Sequence, residues 1–344
     1  MQSINKMPCR QRQGFFKKNE CRMKEIIKAV KEAGAIAIFP HVMADGDAIG
    51  SALALRNFLV VQGKQAYVIF EEECSYKYRF LFQETTQCCI YPNIPDVQYD
   101  LHISLDSGDM KMLGSRIDLF KSAPSTVNMD HHKTNNKYAD LNYISLSSAA
   151  TGEIIYDFIS LYDPIYKPDA FVATCLYVAI TTDTGGFRYS NTTKRTHEIA
   201  GILTECDIDI ENINKQVFDL MPKPQLELLK LALPKASFLH DDKIGVIRIS
   251  REDYDKAGAK EEHSDGFVDY VRNVEGVEVA ISFKETADGK VKVSFRSSGV
   301  VDVSETAHHF GGGGHENAAG CTINGDLKDA ERQVIEYLIG RMEK

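Results

Sequence analysis

A chain of 344 residues has room for two domains of ordinary size, and its 43% hydrophobic and 26% charged residues are the balance of a soluble globular protein. Its 40 basic residues against 49 acidic ones leave a net charge of −9, which argues against a broad basic face for long duplex nucleic acid but allows a local cationic pocket. No stretch approaches the roughly 18 uninterrupted apolar residues of a membrane span, so no membrane partner is expected.

In chain order, residues 1–22 are polar and basic, with Arg10, Arg12, Lys17 and Lys18 and no apolar core for a signal peptide. They are expected to be a disordered extension, with Met23 as an alternative start. From Met23 to Ala33 the pattern is helical, stopped by Gly34. Ala35 to Pro40 is a short apolar run of the kind that forms a buried parallel strand. A polar loop from His41 to Asp47, a helix from about Ala48 to Gln62 and a strand from Gln65 to Phe70 complete a strand–helix–strand crossover. Apolar runs at Leu101–Leu105 and Thr126–Met129 extend the sheet, and helices follow near Thr151–Tyr162 and Asp169–Thr181. A less regular stretch around Pro222, Pro224 and Pro234 is the expected linker. Strands at 244–249, 277–285 and 290–296 follow, the last two joined as a hairpin at Asp288 and Gly289. A helix at 302–310 runs into four glycines, and a terminal helix covers 327–342. The expected fold is therefore α/β: a parallel-sheet domain over 23–205, a linker over 206–240 and a smaller α+β domain over 241–344, with the active site in the cleft between domains. Eight cysteines without a Cys-x-x-Cys pair speak against a zinc knuckle or a redox dithiol and fit a reducing cytoplasm.

In a parallel sheet, ligands bind beyond the C-terminal strand ends. Acids and imidazoles recur there: His41, Asp45 and Asp47 after the first strand, Asp106 with Asp109 after Leu105, Asp130, His131 and His132 after Met129, and Asp183 after the long helix. A lone Asp at such a place usually caps a helix, and Asp47 could do only that. A lone His is more often a hydrogen-bonded structural residue, and single pairs of adjacent histidines, such as His308–His309, arise by chance. Four clusters at successive element ends call for a common purpose. Two divalent ions need a shared carboxylate and several oxygen and nitrogen ligands. Carboxylates and imidazoles without thiolates suit Mn²⁺ or a similar ion better than structural zinc. Asp45 and Asp47, two residues apart around Gly46, can face different ions, and Asp106 is placed to bridge them.

These segments read HVMADGDAIGS, LDSGD, NMDHHKTN and TTDTGGFRYSNT, followed far downstream by GGGGHENAAG at 311–320. Together they resemble the DHH phosphoesterase superfamily, named for the triplet seen as Asp130–His132, with the final segment similar to the signature of its associated C-terminal domain. Length and the short linker are similar to the branch of bifunctional oligoribonucleases and 3′-phosphoadenosine 5′-phosphate (PAP) phosphatases. The resemblance implies one ion held by His41, Asp45 and Asp106 and a second by Asp47, Asp106, His131 and Asp183. It implies His132 turned to the substrate phosphate, Asp130 orienting the histidine pair, and water activated by the ions to attack phosphorus. Substrates would be short RNA oligonucleotides and nucleotide bisphosphates; cyclic-di-AMP and its linear product pApA are the alternative. A homodimer is compatible with this reading.

The second domain carries residues for gripping an anion. Glycines 312, 313 and 314 let backbone N–H groups approach a phosphate closely, with His315 donating to the same group. Where a helix C-cap needs one glycine, four followed by a histidine exceed that need. Arg296 at a strand end offers a guanidinium fork with the Ser297 hydroxyl beside it, and the matching strand of the family carries a phosphate-binding arginine. Past Asp183, Arg188 is a candidate phosphate contact and Phe187 a candidate base-stacking ring.

Overall fold

The computed structural model describes residues 9–82 and 88–342, with the side chains of residues 9–20 and of His315 outside that description. The first helix, α1 (Cys9–Glu32), begins well ahead of Met23, so residues 9–22 are helical where an extension without structure was expected. There follow β1 (Ala35–Pro40), α2 (Gly46–Val61), β2 (Gln65–Phe70), β3 (Cys88–Ile90), β4 (Leu101–Leu105), α3 (Ile117–Lys121), β5 (Thr126–Asp130), β6 (Leu141–Ile144), α4 (Thr151–Tyr162) and α5 (Ala170–Asp183). The six strands form one sheet in the order β3-β2-β1-β4-β5-β6, and every pair is parallel. The short edge strands β3 and β6 carry no alternating or long apolar pattern, which is why the sequence does not announce them.

The order reverses between β1 and β4, and a parallel sheet opens its ligand crevice at that point. The residues directly beyond those two strands are His41 and Asp106. Helices α2 and α5 are apolar nearly all round and buried on most sides, the sign of helices inside a structure. Their close approach depends on Gly50: a Cβ there would stand 2.3 Å from the Cys175 carbonyl oxygen. Gly152 does the same for α4, with 2.6 Å to the Ala179 Cβ.

The chain divides into two compact units after Leu220. The stretch expected as an irregular linker is largely helical: α6 (Lys194–Thr204), α7 (Ile210–Asn214) and α8 (Lys223–Ala232) occupy it or border it. Its prolines do not oppose this, because Pro222 caps α8 and Pro224 sits in the first turn, where no N–H is needed.

The second unit contains β7 (Ser237–Leu239), β8 (Ile244–Ile249), α9 (Arg251–Ala257), α10 (Phe267–Arg272), β9 (Val279–Glu285), β10 (Lys290–Ser297), α11 (Val303–His309), β11 (Gly313–His315), β12 (Ala318–Asn324) and α12 (Leu327–Met342). Its sheet runs β11-β12-β10-β9-β8-β7, antiparallel except for β8 beside β9. One face packs on α11 and α12 through Val293, Phe295, Val303 and Val334. The other packs on α8, α9 and α10 through Ile247, Ala280, Leu228 and Phe267.

Candidate active site

Beyond β1 the chain turns through His41–Asp45 into α2. The helix cap is Asp45, whose Oδ1 accepts from the backbone N–H groups of Asp47 and Ala48, both at 3.1 Å. The capping role considered for Asp47 thus belongs to its neighbour. Asp47 points inward instead and is 1% exposed. Its carboxylate accepts from Ser51 Oγ at 3.0 Å and from the N–H groups of Thr151 (2.6 Å) and Gly152 (2.9 Å) at the start of α4. His41 Nδ1 lies 2.7 Å from the Val42 carbonyl. A carbonyl can only accept, so Nδ1 carries the proton and Nε2 is presented inward, 3.7 Å from Asp45 and 3.6 Å from Asp106 Oδ2.

Asp106 follows β4 at φ 55°, a conformation that costs a non-glycine residue energy and is typically found where function requires it. Its two oxygens face different partners. Oδ2 looks to His41, while Oδ1 lies 3.4 Å from His131 Nε2 and accepts from Thr151 Oγ1 at 3.0 Å. At the end of β5, Asp130 is fully buried. It accepts from the His131 N–H at 2.9 Å, from His132 Nδ1 at 2.6 Å and from Asn135 Nδ2 at 2.6 Å. Asp130 thereby occupies His132 Nδ1. His131 Nε2 is different: it is buried with no hydrogen-bond partner among the described residues, yet carboxylate oxygens of Asp106, Asp183 and Asp47 stand 3.4, 3.6 and 3.9 Å away.

A neutral buried site would not be built this way. Burial, then Asp106 and Asp183, push the Asp47 carboxyl well above its ordinary range. Burial likewise raises Asp183 to about 6, against the pull of His131 and with the push of Asp106. Burial alone would lower His41, but Asp45 and Asp106 hold it up at about 9. His131 is also raised well above its usual value, burial being outweighed by Asp106, Asp183 and Asp47. Three sets of donor atoms lie close enough to share an ion: His41, Asp45 and Asp106; Asp47, His131 and Asp183; and Asp106, His131 and His132. Ligands held about 2.0–2.2 Å from one ion stand roughly 3–3.5 Å apart, near the spacings seen around His131. All donors are oxygen or nitrogen, and Asp106 belongs to sets on both sides. The residues therefore fit two divalent ions sharing a carboxylate.

Residues 35–180 match the family model described as DHH family, N-terminal domain, and residues 241–343 match the DHHA1 domain. The bifunctional oligoribonuclease and PAP phosphatase NrnA of Thermus thermophilus is 33% identical over 314 residues, 91% of each chain. The chain belongs to the DHH phosphoesterase family. The Bacillus subtilis protein of the same name is 24% identical, covering 87% of this chain and 92% of its own. An exopolyphosphatase-related protein of Bacteroides fragilis shares the fold, with a TM-score of 0.88 at 24% identity over 94% of this chain and 98% of that one. Exonuclease RecJ bound to manganese is a more distant fold relative, at TM-score 0.54 and 14% identity over 93% and 94% of the two chains.

In this DHH phosphoesterase the substrate-side candidates fare unevenly. Phe187, at φ 65°, is packed against the first core and stacks on His197 with centroids 5.2 Å apart, so its ring is engaged within the protein. Exposed Arg188 donates Nε to the Gly185 carbonyl at 2.5 Å. Ser297 is buried, and its Oγ accepts from Gly299 N–H at 3.0 Å. Alternation along β10 turns Ser297 to the core face and Arg296 to the other, so the two do not form one grip. Two glycines of the run are required by the hairpin itself. A Cβ on Gly312 would meet the Gly320 carbonyl at 2.1 Å, and one on Gly314, at φ 142°, would meet that of Ala318 at 2.5 Å. Gly313 pairs with Gly320 in the ladder. The expected role of the His315 side chain lies outside the described residues. Its backbone pairs with Ala318, as does that of Arg296, so both occupy one row across three strands. His309 stacks on Tyr337 with ring centroids 3.9 Å apart.

Several contributors escape a reading of the sequence. Thr151 joins Asp47 to Asp106, Asn135 supports Asp130, and Asn191 donates to the Asp183 carbonyl at 3.0 Å. Asn135 and Asn191 lie inside the quoted motifs. Thr151 is signalled only by its place at a helix start.

Proposed function

We propose that this chain is a Mn²⁺-dependent hydrolase of short oligoribonucleotides and of PAP. The observation that carries the dinuclear reading is Asp106, whose two oxygens address donors on opposite sides. The substrate class rests on the relatives, one of which matches over nine-tenths of both chains and is named for these two activities.

His41, Asp45 and Asp106 would hold one ion, and Asp47, Asp106, His131 and Asp183 the other. When bound, the pair supplies electrophilic polarisation of the phosphoryl group and a water acidic enough to act near neutral pH. The protein does the rest by holding atoms still. Thr151 ties Asp106 and Asp47 into one rigid unit through its hydroxyl and its N–H. Asp130 accepts the His132 Nδ1 proton and fixes the ring, and the imidazolium form, which burial disfavours but Asp130 and Asp106 together favour more, would donate to a phosphate oxygen as charge accumulates there. In the second unit, Arg296 on β10 and the β11 strand, one strand removed in the same sheet, would contact a further phosphate of the substrate. A substrate gripped at a second phosphate as well as at the reacting one would be a short chain, of roughly two to five nucleotides, or a nucleotide bisphosphate.

Replacing Asp106 by Ala tests the carrying observation. The variant should bind neither ion at the wild-type affinity and should lose hydrolysis by several orders of magnitude. Substantial activity with two ions still bound per chain would overturn the shared-carboxylate reading.

A further inference from the structure

Beneath the loop that carries His41 and Asp45 lies a charged pair that the proposed chemistry does not use. Arg116 is completely buried. Its Nε donates to Glu71 Oε2 at 3.1 Å and to the Leu113 carbonyl at 3.0 Å, and its Nη1 to the Ile69 carbonyl at 2.6 Å. A buried ion pair is a poor source of stability compared with apolar packing of the same volume, so fixing a geometry is the better account of it. The geometry fixed here is that of the metal-site loop. Glu71 Oε1 accepts from Ser115 N–H at 3.0 Å, which pins the helical segment 110–116 against the end of β2. The Met112 carbonyl of that segment accepts from Val42 N–H at 2.7 Å. Gly114, at φ 61°, lies so close to the loop that a Cβ would stand 2.7 Å from Val42 Cγ1 and 2.8 Å from Glu71 Cδ. Glu72 accepts from Met43 N–H, and Met43 itself holds a left-handed φ of 51°. Val42 then accepts the His41 Nδ1 proton. The contacts thus run from Arg116 through Glu71, the segment 110–116 and Val42 to the imidazole of one ligand. Asp47 and His131 have other supports, the start of α4 and the end of β5.

We propose that Arg116 and Glu71 are positioning residues for the His41–Asp45 half of the centre and set the affinity of that ion independently of its neighbour. The inference rests on the two-ion reading above. Its test is Mn²⁺ binding to the metal-free full-length chain, by calorimetric titration with electron paramagnetic resonance to count bound ions. Wild type should show two sites. In Arg116→Met, one site should weaken by about 10- to 100-fold, the usual effect of removing a group that supports a ligand, with the other unchanged. Arg116→Lys should restore part of the loss. The His41→Ala/Arg116→Met double variant should bind its remaining ion as tightly as His41→Ala alone. Glu72→Ala, at an exposed position, should weaken the same site by less. Equal weakening of both sites, or of neither, in variants that still melt cooperatively would overturn the proposal. Should Arg116→Met fail to fold, Glu71→Gln and Glu72→Ala decide by the same criterion. A wild-type chain that binds only one ion would instead remove the two-ion reading, and this inference with it.

Discussion

At the level of single residues, several side chains of the centre are held in place by bonds of their own. His41 and His132 give up Nδ1 to Val42 and Asp130, and Asp47 is held by three donors. Thr151 is the most economical of these supports, since one residue reaches two carboxylates. Thr151→Val keeps the volume and the N–H but removes the hydroxyl from Asp106. It should lower kcat by about 10- to 100-fold, and Thr151→Ser should recover most of that. Steady-state kinetics at saturating Mn²⁺ checks both, and a Val variant as active as wild type would remove Thr151 from the account. The aspartates were legible in the sequence because four polar clusters fall at successive element ends. Thr151 was not, because a threonine opening a helix is ordinary and its partners lie 104 and 45 positions away.

At the level of elements, the first sheet was readable because β1, β2 and β4 are short, largely apolar runs, and their observed ends coincide with the runs. The strands β11 and β12 were not. Their glycines suggested a phosphate cradle, and at Gly312 and Gly314 the sheet also needs bare backbone for two strands to approach. Gly312→Ala should therefore destabilise the second unit by about 1–3 kcal/mol, the usual cost of forcing extra atoms into a packed place. Denaturant melts of the full chain would show it. An unchanged midpoint with a raised KM would return the glycine run to the cradle reading. The proline-rich stretch 206–240 misled for a similar reason. Proline opposes a helix only in its interior, and here it marks starts.

At the level of the whole molecule, the proposed metal centre predicts that metal binding and folding are coupled. Asp47, Asp106 and Asp183 bring three buried or half-buried carboxylates together, a repulsion that the metal-free chain must carry. Mn²⁺ should therefore stabilise the folded state, by about 2.7 kcal/mol at a free concentration a hundred times Kd. The melting temperature should rise with added Mn²⁺ and fall on chelation. A melting temperature indifferent to both would argue that the cluster holds no ion. No helix among the described residues is long and apolar enough to cross a membrane, so nothing seen here conflicts with substrates met in water.

The most direct test of the proposed activity is a single comparison of turnover with Mn²⁺. PAP, RNA dimers to pentamers, a 24-mer, cyclic-di-AMP, pApA and pyrophosphate would be assayed side by side at equal enzyme concentration. The account predicts rapid hydrolysis of PAP and the short RNAs, with the 24-mer far slower. Preference for the 24-mer, or turnover confined to cyclic-di-AMP and pApA, would contradict it.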